Sequence, residues 1–131
     1  MKDFRDLRVW NEAHQLTLAI YQATTRFPRH ELFGLTSQMR RCSVSIGANI
    51  AEGCGKRGNN EFQRFLVIAS GSASELDYEL LLAKDLEYLD PQAYSSLHAD
   101  LSRMRRMLAA LLHKVDEERS VANCQMPTAK C

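Results

Sequence analysis

The chain has 131 residues, 45% of them hydrophobic and 25% charged, with a formal net charge of +1. That length and balance suit one domain around a single core, leave no room for two, and exclude extended disorder or wholesale basicity as organising features. The charges are unevenly spread: nine Lys and Arg against five Asp and Glu over 1–60, two against seven over 61–90, and six against four from Pro91 onward.

A first helix is predicted over 7–27, because Val9, Ala13, Leu16, Ile20, Ala23 and Phe27 recur at steps of four and three, with Trp10 and Tyr21 widening the stripe. Pro28 ends it. A short connection through Gly34 leads to a second helix on which Leu35, Met39, Cys42, Ile46 and Ile50 share one face, ended by Gly53 and Gly55. Between Cys42 and Ala51 the opposite face carries only Ser, Val, Gly, Ala and Asn, so this helix is expected to be central and covered on all sides. The run is far short of the roughly 20 apolar residues a bilayer span needs. The stretch from Cys54 to Asn60 mixes turn formers with Lys56 and Arg57 and reads as a loop.

The third helix is expected from near Asn60 to Leu89, its core stripe being Phe62, Leu66, Ala69, Ala73, Leu76, Leu80 and Ala83. A spare stripe of Ile68, Gly71, Tyr78 and Leu82 exceeds what one bundle contact hides. Asp90-Pro91 is a strong start signal for a fourth helix carrying Tyr94, Leu97, Leu101, Met104, Leu108, Leu111 and Val115. The period stops after Glu118. The expected architecture is all-α, an antiparallel up-down four-helix bundle over 1–119 that assembles with itself, followed by a flexible tail over 120–131.

The pattern Phe27-Pro28, Glu31, Phe33-Gly34-Leu35, Gln38, Arg40-Arg41, Ser45-Ile46, Asn49-Ile50-Ala51-Glu52-Gly53, Glu61-Phe62, Phe65-Leu66, Ile68-Ala69 and Gly71-Ser72 resembles the bacterial 23S rRNA intervening-sequence protein family. The resemblance runs from about Phe4 to Tyr88. It implies a small four-helix bundle similar to the accessory protein of diversity-generating retroelements, which works as a ring of five subunits with a reverse transcriptase and RNA. A homopentamer, RNA or DNA as partner and, in a retroelement, a reverse transcriptase are therefore what the resemblance implies.

The chemistry of the chain offers little for catalysis. No Glu-x-x-His occurs, so the di-metal carboxylate site that bundles can carry lacks its ligands, and His113 with Asp116 is only a pair. Cys42, Cys54, Cys124 and Cys131 lack the two-residue spacing of zinc or redox motifs, and Cys42 reads as core. Gly53-x-Gly55-x-x-Gly58 follows a helix and not the strand that a dinucleotide fingerprint requires. With no apolar leader at Met1 to Asp6, the protein is expected in the cytoplasm with reduced thiols. The expectation is a non-catalytic protein with no metal and no cofactor.

What remains is basic residues at helix ends and uncharged helix faces. Arg40, Arg41, Lys56 and Arg57 are the candidate phosphate-binding residues; the alternative is a protein-interaction scaffold in which the basic residues form internal ion pairs with acidic neighbours such as Glu31, Asp85, Glu87 and Asp90. Val44, Gly47, Ala48 and Ala51 of the second helix, with Ile68, Gly71, Tyr78 and Leu82 of the third, are the candidate interface between subunits.

Overall fold

The computed structural model describes residues 3–125. Four helices follow one another: α1 (Arg8–Thr24), α2 (Leu35–Cys54), α3 (Asn59–Asp85) and α4 (Pro91–Gln125), with short 3-10 turns at Phe4–Asp6 and Arg29–Glu31. Among the described residues there is no strand, and the fold is the all-α four-helix bundle expected. Each helix packs against its neighbours in sequence, and α4 closes the bundle on α1. The α2–α3 seam is the most extensive and the α1–α4 seam the least. Cross-helix pairs run in opposite directions along the chain, for example Thr17 with Ser43 and Thr24 with Arg40, which makes the neighbours antiparallel.

The core follows the predicted stripes. Leu16 and Ile20 of α1, Met39, Ile46 and Ile50 of α2, Leu66, Leu76 and Leu80 of α3, and Leu101, Met104 and Leu108 of α4 are all fully buried. At the lower end of the α2–α3 seam Gly53 lets the backbones approach: a Cβ there would lie 3.0 Å from both the Phe62 ring and the Phe65 Cβ.

Helix ends explain where boundaries depart from expectation. α1 stops at Thr24, short of Phe27, and Thr25 Oγ1 donates to the Gln22 carbonyl at 2.7 Å while the Phe27 N–H donates to the Thr24 carbonyl. Gly58, at φ 80°, turns the chain into α3 in a conformation that favours glycine, so the helix begins at Asn59 without a side-chain cap. α3 ends at Asp85 and not near Leu89, because Glu87 takes φ 66° and the Tyr88 N–H reaches back to the Ala83 carbonyl at 2.9 Å. This reversal is the common left-handed helix stop, with glutamate where glycine usually stands. α4 starts as expected, Asp90 Oδ1 accepting from the Ala93 N–H at 2.7 Å. It then continues past the expected limit of the bundle to Gln125, since no proline or glycine interrupts it; the rest of the expected tail, 126–131, lies outside the described residues.

Candidate functional site

The two arginines that open the central stretch of α2 lie in different places. Arg40 turns into the α1–α2 seam: its Nε donates to Thr24 Oγ1 at 2.9 Å, its Nη2 to the Tyr21 carbonyl at 3.4 Å, and its guanidinium sits 4.9 Å over the Tyr21 ring. The Thr24 hydroxyl in turn donates to the Ile20 carbonyl at 2.7 Å, so the contact is a continuous hydrogen-bonded chain into the seam. Two of the donors of Arg40, expected as a phosphate ligand, are thus directed into the seam. Arg41 faces outward, is exposed, and lines a shallow groove with Gln38, Cys42, Ser45, Ser72 and Glu75.

Lys56 and Arg57 are exposed on the loop between α2 and α3. The Lys56 ammonium lies 5.7 Å from the Phe65 ring centroid. At 1.5 Å rise per residue, Arg41 and this loop are about 20 Å apart along α2, so the four residues do not form one patch on a single subunit. Among the described residues no ion pair involves any of the four, and Glu31, foreseen as an acidic partner, instead accepts from Tyr88 Oη at 2.9 Å and from the Leu35 N–H at 3.1 Å. Those two bonds, the backbone one foremost, hold the Glu31 carboxyl below its ordinary pKa, and the hydrogen bond to Glu31 raises that of Tyr88.

The candidate interface residues divide in the same way. Val44 and Ala48 on α2 and Ile68, Gly71 and Tyr78 on α3 are exposed, and Ala51 is half-buried. Val67 and Leu81 join them, so the outer face of α3 presents Val67, Gly71, Tyr78 and Leu81 at helical spacing, Tyr78 being 62% exposed. Two of the expected residues are elsewhere. Gly47 is buried beneath Trp10, whose Nε1 would lie 3.6 Å from a Cβ at that position, and Leu82 packs against the core.

Two features escaped the sequence reading. Phe33, in the connection between α1 and α2, is 94% exposed beside Arg29 and His30 in sequence. Glu79 is a carboxylate in the α2–α3 seam, 3% exposed, and its Oε1 has no hydrogen-bond partner. Burial first, and then the neighbouring Glu75 carboxyl, push its pKa up to about 7. Beside it the Cys42 thiol donates to the Ser72 carbonyl at 2.9 Å, and burial, reinforced by Glu79 and Glu75, pushes that thiol up to about 12. The signal for Glu79 was its place between Leu76 and Leu80, on the buried side of α3. Ser45 and Ser72, 2.9 Å apart through their hydroxyls, complete the polar part of this seam, with Asn49 Nδ2 donating to Ser45 Oγ at 3.0 Å. Cys42 and Ser45 thus lie within the seam between α2 and α3.

No helix among the described residues is long and apolar enough to cross a membrane. No curated protein matches the chain significantly. Among solved structures it is similar to a protein of unknown function from the S23 ribosomal protein family of Bacteroides thetaiotaomicron VPI-5482, at 25% identity and a TM-score of 0.74, over 80% of this chain and 95% of that one. The 23S rRNA-intervening sequence protein family matches residues 5–110, spanning all of α1, α2 and α3 and more than half of α4, and the chain belongs to that family.

Proposed function

We propose that the protein is a non-catalytic bundle that assembles with itself through the outer faces of α2 and α3 and, once assembled, binds the phosphate backbone of RNA through Arg41, Lys56 and Arg57. The observation that favours this reading over internal ion pairing is that these three cations are exposed and none lies within ion-pair distance of a described carboxylate. The family name, which ties such proteins to intervening sequences of 23S rRNA, supports RNA as the partner class.

Assembly matters to the mechanism. The two clusters on one subunit are separated along α2, and either alone gives weak contact. Repeating both around a ring presents several at once, and linked weak contacts gain through effective concentration. The exposed apolar face of α3 is the kind of surface that marks an interface. Head-to-tail contacts whose rotation closes give a cyclic ring, and the family resemblance suggests five subunits. Phosphate contacts carry no sequence information, so binding should be tolerant of sequence, with Phe33 offering a ring on which an unpaired base can stack.

Sedimentation tests assembly and titration of labelled structured RNA tests binding. Wild type should sediment as a closed oligomer, and a Val67→Asp, Tyr78→Asp double variant as a folded monomer. RNA affinity should fall with salt at a log-log slope of roughly 0.7 to 0.9 per neutralised phosphate. An Arg41→Gln, Lys56→Gln, Arg57→Gln variant that stays oligomeric should lose most of the binding, whereas Arg40→Gln should cost about 1 kcal/mol of stability through its broken seam contact. A wild-type monomer at micromolar concentration, or equal RNA binding by the triple variant, defeats the proposal.

A further inference from the structure

The α2–α3 seam contains a group of side chains that neither assembly nor RNA binding uses. One ligand atom from each of Cys42, Glu75 and Glu79 lies within 4.8 Å of the other two. Cys42 comes from α2; Glu75 and Glu79 come from α3, four residues apart and therefore on one side of that helix. Glu79 is 3% exposed, one of its carboxylate oxygens lies in the cluster, and its Oε1 has no hydrogen-bond partner. A buried carboxylate oxygen left unpaired is costly in a folded protein, and natural structures seldom carry one without a ligand, a water or an ion that completes it.

We propose that Cys42, Glu75 and Glu79 form a binding site for a divalent metal ion of the zinc class. The donor set decides the class. A thiolate with two carboxylate oxygens suits a borderline-soft ion such as Zn²⁺ or Co²⁺ and is poorly matched to Mg²⁺ or Ca²⁺, which take oxygen ligands. Three protein ligands leave a fourth tetrahedral position open, and the adjoining groove, about 220 Å³ and lined by Gln38, Arg41, Ser45 and Ser72 beside Cys42 and Glu75, supplies both an entry path and space for water. Charge closes as well: one thiolate, two carboxylates and a doubly charged ion leave a single negative charge, beside the exposed Arg41 guanidinium in the same groove. On binding, the Cys42 sulfur exchanges its S–H proton, released to solvent, for the S–metal bond, and no electron is transferred.

The sequence spacing conceals such a site because its ligands are divided between two helices and include no histidine. The placement also gives the metal a structural consequence, since it joins α2 to α3 in the middle of their seam.

The test uses the full chain, reduced and freed of metal with a chelator, with Zn²⁺ and Co²⁺ as probes. Wild type should bind one Zn²⁺ per chain, rise in melting temperature with added Zn²⁺ but not with Mg²⁺, and develop the near-ultraviolet sulfur-to-cobalt charge-transfer band with Co²⁺. Glu79→Gln keeps the size and hydrogen-bonding capacity of the buried side chain, and Glu75→Gln changes an exposed one, so both should stay folded by circular dichroism. Each should weaken Zn²⁺ affinity by at least the roughly 10- to 100-fold that losing even an outer-shell partner costs. Cys42→Ser should abolish the cobalt band. No Zn²⁺ binding by wild type overturns the proposal; so does a cobalt band that survives in Cys42→Ser, which would assign the metal to other cysteines, or a folded Glu79→Gln that binds as tightly as wild type.

Discussion

Successive residues on a helix point about 100° apart, and that rotation separates Arg40 from Arg41. Both look alike in sequence; which one enters the α1–α2 seam depends on how α2 is turned against Thr24 and Tyr21, and a stripe of core residues fixes that turn only to within a residue. The same limit hid Glu79, which stands inside the apolar stripe of α3 but is a residue type ordinarily assigned to solvent. Glu31 shows the opposite case, where an acid foreseen as a partner for arginine serves the backbone instead. Its folded-state pKa lies below the ordinary 4.5, chiefly through the Leu35 N–H and then through the Tyr88 hydroxyl. A depressed carboxylate contributes stability that is present above the unfolded pKa and lost as pH falls through the folded one. Urea denaturation followed from neutral pH down through the carboxylate range should therefore show a loss in wild type that is shallower in Glu31→Gln; identical pH profiles would remove Glu31 from the account.

Elements were the most legible level. The stripe of α2 recurs in the buried core and that of α1 does so through Ile20, with Ala23 half-buried and Phe27 buried beyond the helix, and Asp90-Pro91 announced the start of α4 correctly because a capping carboxylate and a proline at the first helical position are local chemistry. The end of α3 was misplaced for an equally local reason: the left-handed stop is made by Glu87, and without glycine the sequence gives no mark of it. The strain at that residue is testable. A left-handed conformation costs a side-chain-bearing residue roughly 1–2 kcal/mol, which glycine avoids, so Glu87→Gly should stabilise the protein by about 1 kcal/mol after its greater chain entropy is counted. Urea melts with an unchanged slope and a raised midpoint are expected. A lowered midpoint would mean that the Glu87 side chain contributes more than its conformation costs.

At the scale of the whole molecule, the closing seam has a dynamic consequence. α2 and α3 are joined by the four residues 55–58 and share the most extensive contact, whereas α1 and α4, at opposite ends of the chain, share the least. The α1–α4 face also carries a broad groove floored by the small residues Ala19, Ala23 and Ala93. Partial opening should therefore begin by hinging α1 off α4, with the α2–α3 hairpin retained as the last cooperative unit. Native-state hydrogen exchange reads this directly. Amides near Ile46, Ile50, Leu76 and Leu80 should exchange only through global unfolding, while those of the second half of α1, beside the groove, exchange sooner and with a weaker dependence on urea, because a small opening exposes little surface. Uniform protection across all four helices would mean that the bundle opens only as a whole.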